Sequence, residues 1–162
     1  MDFHLYVPVP DTIKARINHY MRGVPADPIS PNRLHMSVLT WKHTSLEHLL
    51  DNFPAFELWL GPTYTTRSKI AIKVEESSSL RKMQQFLTEH LHQGEKYLDL
   101  PLHINIGKKY ELTKISSSDF FKGFRLPVTE LKLAPNYSVK DAQTIYLTTS
   151  RALVDLQKRP YL

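Results

Sequence analysis

The sequence predicts an α+β protein rich in antiparallel strand pairing, folded as two related lobes that face one another across a cleft. Three observations lead there. Short apolar segments with strand-like alternation recur along the chain, among them HLYVPVP, LHMSVL, FELWLG, KIAIKVEE and LHINIG. Two longer segments between them carry apolar residues at helical spacing. A strand–helix–strand order also occurs twice, each time closing on a strand that reads apolar, His, apolar, small polar, apolar.

In HLYVPVP, Leu5 and Val7 alternate with Tyr6, and the prolines end the strand. Asp11 is placed to cap a helix carrying Ile13, Ile17, Tyr20 and Met21 on one face. The Pro-rich VPADPISPN leads into LHMSVLTW. Thr44 and Glu47 have capping-box spacing ahead of Leu46, Leu49, Leu50 and Phe53, which predicts a short helix. FELWLG and KIAIKVEE are separated by GPTYTTRS, which reads as a loop too long for a tight turn. The serines at 77–79 start a helix carrying Leu80, Met83, Phe86, Leu87 and Leu91, with Gly94 as its stop. LHINIG, LPVTELKL and TIYLTTS supply further strands.

In the two repeated units the histidine follows the first strand at a similar distance. Leu5 to His35 is 30 positions (35 − 5), and Ile70 to His103 is 33 (103 − 70). Side chains alternate across a strand, so His35 and Ser37 share one face and Met36 and Val38 the other. His103 and Asn105 likewise lie opposite Ile104 and Ile106. If the apolar faces form the core, the four polar groups face a groove or water. Buried without partners, each would cost about 1–3 kcal/mol.

At 162 residues the chain is long enough for one substantial core, and residues 1–162 are expected to form a single domain. With 41% apolar and 23% charged residues, it has an ordinary globular balance. There is no secretory leader pattern and no apolar run long enough for a bilayer, so a cytoplasmic protein without membrane contact is expected, acting as a monomer. Cysteine is absent, which excludes disulfides, thiolate metal sites and a cysteine nucleophile. The formal net charge of +5 favours anionic partners such as nucleotides or RNA.

Two histidines on opposite sides of one phosphate suit cleavage of a phosphodiester by internal attack. One takes the proton of the attacking ribose hydroxyl and the other protonates the leaving oxygen, a division that a pKa near 6.5 allows at neutral pH. Ser37 and Asn105 carry donors for the non-bridging oxygens. No cofactor and no metal are required. His90 and His92, two apart on a helix, face different directions and do not form a metal pair. His4, His19, His43 and His48 have no partner at ligand spacing. Tyr6 and Trp41 are candidates to stack on a base. Lys42, Lys108 and Lys109, next to the two motifs, are candidates for a nucleotide phosphate, although each also reads as an ordinary solvated cation.

These paired motifs resemble those of the two-histidine (2H) phosphoesterase superfamily, whose signature is two strand-borne His-x-Thr/Ser motifs. The resemblance implies a two-lobed α+β fold with a pseudo-two-fold axis and a central cleft. It also implies cleavage of 2′,5′-linked oligonucleotides or of related nucleotide, cyclic-nucleotide or RNA phosphodiesters. His35 and Ser37 match the first motif and His103 the second, while Asn105 replaces its Thr or Ser. That departure leaves a competing expectation: the same fold as a nucleotide- or RNA-binding module that does not cut.

Overall fold

The structure is a computed structural model that describes residues 1–148 apart from 44, 45 and 47. In chain order its elements are β1 (Asp2–Pro8), α1 (Asp11–Met21), β2 (Ala26–Pro28), β3 (His35–Lys42), β4 (Phe56–Thr65) and β5 (Lys69–Val74). They continue with α2 (Ser78–Leu91), β6 (His103–Lys109), β7 (Arg125–Val128), β8 (Glu130–Pro135) and β9 (Gln143–Tyr146). Two antiparallel sheets result, ordered β3-β1-β8-β9 and β2-β6-β5-β4-β7.

The repeated unit is visible in the pairing. β1 runs antiparallel to β3, and β5 to β6, so each histidine strand lies beside the strand that opens its unit. Both ladders carry the same bulge. Leu5 pairs with Leu39 and Tyr6 with Ser37, which leaves Val38 unpaired. Ile70 pairs with Gly107 and Ala71 with Asn105, which leaves Ile106 unpaired. The bulge residue therefore stands three positions after the histidine in each half.

The helices are exchanged between the halves. α1 follows a strand of the first sheet but packs on β2 and β6 of the second, while α2 follows β5 and packs on β3 of the first. Ile13, Ile17 and Met21 form the buried face of α1. Gly107 of β6 passes so close under α1 that a Cβ there would sit 2.5 Å from the Met21 methyl carbon. α2 is capped by Ser77, whose Oγ accepts from the Leu80 amide at 3.2 Å, and it buries Leu80, Met83, Leu87 and Leu91. Its last turn is followed by His92 and Gly94 in the left-handed region. Buried residues from both sheets and both helices form one continuous cluster.

Several local expectations are corrected. GPTY is strand rather than loop: β4 runs on to Thr65 through a register shift between Leu60 and Thr63, so only residues 66–68 remain to turn into β5. The Thr66 amide donates to the Lys69 carbonyl at 2.9 Å and closes that turn. LPVTELKL is two strands, not one. β7 pairs with β4 in the second sheet and β8 with β1 in the first, so the chain changes sheets at Thr129. Asp11 is the first residue of α1 rather than its cap; Pro10 holds the cap position without a side-chain bond. The capping pair Thr44 and Glu47 lies outside the described residues, and residues 48–52 form turns, not a helix. The end of TIYLTTS also lies outside them.

Candidate active site

The two histidine strands meet along the middle of the molecule, where β3 and β6 are in contact. Met36, Val38, Ile104 and Ile106 are buried at 1% exposure or less. Their neighbours His35, Ser37, His103 and Asn105 are half-buried and point the other way. A cleft of about 400 Å³ opens there, lined among others by His4, Tyr6, His35, Ser37, Lys69 and Asn105.

The two histidines are held by the same device. Nδ1 of His35 donates to the carbonyl of Arg33 at 2.7 Å, and Nδ1 of His103 to the carbonyl of Pro101 at 2.8 Å. A carbonyl only accepts, so each Nδ1 carries a proton. In the neutral ring Nε2 then has the free lone pair, and in the charged ring it is the transferable N–H. Burial pushes the pKa of His35 below its ordinary value of 6.5. The Arg33 carbonyl opposes that shift, and the charges of His103, Arg33 and Lys69 add to it.

Among the described residues no aspartate or glutamate lines the cleft, whereas Arg33 and Lys69 both do. Neither cation forms an ion pair among the described residues. The lining therefore offers the imidazoles of His4 and His35, a hydroxyl, an amide and two cations, while His103 stands nearby on β6 and is not one of the lining residues. Such groups can donate to a phosphate, and an imidazole can take or give a proton.

Tyr6 lies on the cleft wall at 8% exposure, its ring 5.3 Å from that of His35. Trp41 does not join it. Simple alternation from His35 through Ser37 would bring Trp41 to the cleft, but the bulge at Val38 shifts the phase, so Thr40 faces the cleft instead. Trp41 is 3% exposed and stacks on Phe3 at 5.5 Å. Lys42 ends β3 beside a separate depression with Gln93 and Lys96. On β6 the bulge at Ile106 has the same effect and takes Lys109 off the face that carries Asn105. Lys108 is exposed, and neither of these lysines lines the cleft.

Two residues were not singled out from the sequence. His4 lies at 9% exposure with Nε2 2.9 Å from Ser37 Oγ, and its ring packs against Tyr6, His35 and Tyr137. Lys69 opens β5 and faces the cleft. The internal repeat carries a signal for both. His4 is paired with Thr40 and Lys69 with Lys108, and those partners each stand five positions after their histidine (40 − 35 and 108 − 103). His4 and Lys69 are thus the same position of the two halves, two residues before Tyr6 and Ala71.

No protein-family model matches the chain, and no curated protein matches it in sequence. Solved structures do match. LigT of E. coli in complex with ATP superposes with a TM-score of 0.63 at 18% identity, over 91% of this chain and 95% of LigT. The same protein in complex with 3′-AMP gives 0.63 at 17%, over 90% and 94%. A protein described as a phosphoesterase gives 0.60 at 17%, over 90% and 94%. Usb1 of Kluyveromyces marxianus with uridine monophosphate gives 0.53 at 15%, over 90% of this chain and 98% of Usb1. These likenesses establish the architecture: the chain has the two-lobed α+β fold of the 2H phosphoesterases.

Proposed function

We propose that the protein is a 2H-type phosphodiesterase that cleaves 2′,5′-linked oligonucleotides or related nucleotide, cyclic-nucleotide or RNA phosphodiesters without a metal. The observation that carries this is the matched anchoring of His35 and His103, each with Nδ1 on the carbonyl two residues back, beside a cleft with no carboxylate among its described lining residues. That nucleotides occupy two proteins of the same fold, LigT and Usb1, is consistent with it.

His35 is the base in this mechanism. Its lowered pKa keeps it neutral near pH 7, with the Nε2 lone pair available. It takes the proton from the ribose hydroxyl next to the scissile phosphate. The hydroxyl oxygen bonds to phosphorus, the bond from phosphorus to the leaving oxygen breaks, and Nε2–H of His103 protonates that oxygen. The products are a cyclic phosphate and a free hydroxyl; on a 2′,3′-cyclic nucleotide, which has no free neighbouring hydroxyl, water takes the place of the ribose hydroxyl and the ring opens to a phosphomonoester. Ser37 and Asn105 hold the non-bridging oxygens, and Arg33 and Lys69 balance their charge. Tyr6 offers a ring to the base.

The test is cleavage in EDTA of 2′,5′-oligoadenylate, 3′,5′-oligoadenylate, cyclic dinucleotides and 2′,3′-cyclic nucleotides. Activity on one of these, reduced roughly 10²–10⁴-fold in both His35→Ala and His103→Ala, is the expected result. Retained cleavage in either variant overturns the mechanism. Binding without cleavage across the panel would instead make the protein a nucleotide- or RNA-binding module, with Asn105 as the residue to explain.

A further inference from the structure

His4 lies outside the acid–base pair, yet it is the side chain that touches Ser37. We propose that His4 is a positioning residue that fixes the Ser37 hydroxyl as a hydrogen-bond donor to the anion in the cleft. The proposal rests on the reading of the cleft as a phosphate site.

A serine hydroxyl has one proton to give. If Ser37 gave it to Nε2 of His4, 2.9 Å away, the hydroxyl would turn lone pairs toward the cleft and repel a phosphate oxygen. If Nε2–H of His4 donates instead, the hydroxyl proton is free to point at the anion, and the two bonds reinforce one another. The His4 ring is fixed for this role. It packs 5.1 Å from Tyr6, 5.1 Å from His35 and 5.4 Å from Tyr137. Burial, with a further contribution from the charge of His35, lowers its pKa to about 4. The ring is therefore neutral at working pH, and exchanging one tautomer for the other changes no net charge. An anion in the cleft selects the Nε2–H form.

The other half of the molecule shows why one such residue suffices. Asn105 stands where Ser37 stands, but its amide carries two N–H groups and needs no neighbour to orient a proton. The position equivalent to His4 is occupied there by Lys69, which adds charge instead.

The experiment is a double-mutant cycle on His4 and Ser37, read by the affinity for 3′-AMP and for inorganic phosphate. It is accompanied by ¹⁵N NMR of the His4 ring in phosphate-saturated protein. His4→Phe and Ser37→Ala are each expected to weaken binding about tenfold, the worth of one good hydrogen bond. The double variant should bind no worse than either single one. His4→Gln, whose amide can donate, should recover most of the loss, which a packing role for the ring would not allow. The NMR should show the proton on Nε2. Additive losses, no recovery in His4→Gln, or a proton on Nδ1 would each overturn the proposal. None of these readouts requires turnover. A wild type that binds 3′-AMP with the expected coupling but cleaves nothing refutes the phosphodiesterase reading alone; a wild type that binds neither probe refutes both.

Discussion

The side-chain amide of Gln84 donates to the carbonyl of Val38 at 3.0 Å. Val38 is the bulge residue of β3, and its carbonyl has been turned out of the ladder. The equivalent carbonyl in the other half, that of Ile106, accepts from the Ile29 amide at 3.0 Å, just past β2. The outer edge of β6 is thus satisfied by backbone, whereas that of β3 is satisfied by side chains from α2 and the turn after it. Gln93 continues the pattern: its Oε1 accepts from the Lys42 amide at 2.7 Å and its Nε2 donates to the Lys42 carbonyl at 2.8 Å. The bulges set the phase of the site, so these contacts hold Ser37 and Thr40 on the cleft face together.

Gln84→Leu should therefore destabilise the protein although it adds apolar volume to a buried position. Gln84 is 1% exposed, and its loss leaves the Val38 carbonyl without a partner. A loss of about 1–3 kcal/mol in urea-unfolding free energy is expected. An unchanged midpoint and slope would show that the bulge does not need this contact.

Much of this was legible in the sequence because it rests on periodicity. The repeated His-x-Ser and His-x-Asn strands, the apolar faces of α1 and α2 and the two facing halves all followed from alternation and spacing. What was not legible depended on breaks in that periodicity. A bulge leaves no mark in a run such as MSVL, yet it turns Trp41 into the core and brings Thr40 to the cleft. The exchange of helices between sheets is also silent locally, since Ile13 and Met21 are equally apolar against either sheet. His4 gives no local signal, because its partner, Ser37, is 33 positions away and only strand pairing brings the two together.

His35 should titrate below its usual value in the free protein, because burial and the surrounding cations disfavour its charged form. An anion in the cleft reverses part of that balance. The midpoint of the His35 ring signal, followed by NMR, is expected below 6.5 in the free protein and higher when 3′-AMP is bound. Lys69→Met should also raise it, by less. A midpoint that does not respond to the nucleotide would remove the phosphate from the neighbourhood of His35.

The stability of the fold should fall on the acid side, with His4 as one cause. Its folded-state pKa of about 4 lies below the unfolded value of 6.5, so the unfolded chain takes up the proton first. The contribution is fully present above pH 6.5 and is lost progressively as the pH falls toward 4. Because the ring retains some access to solvent, its share is roughly 1–3 kcal/mol. Urea midpoints measured from pH 7 to pH 4 should decline, and the decline should be shallower in His4→Phe. Parallel profiles for the two proteins would mean that other groups carry the acid sensitivity.

Asn105 separates the cutting and binding readings. Its amide lies on the cleft face of β6, two residues after His103, and no hydrogen bond among the described residues engages it. Asn105→Asp replaces two donors by acceptors and sets a negative charge toward the anion. The affinity for inorganic phosphate should fall at least about tenfold, since a lost donor and a like-charge contact act in the same direction. Asn105→Thr keeps one donor on a smaller side chain and restores the usual second motif, so it should bind phosphate and retain cleavage. If Asn105→Thr instead creates cleavage in a protein otherwise inert, then the natural cleft binds its nucleotide without cutting it, and the amide is what withholds the chemistry. If both variants bind phosphate as the natural protein does, the anion does not reach β6, and an in-line arrangement between His35 and His103 is excluded.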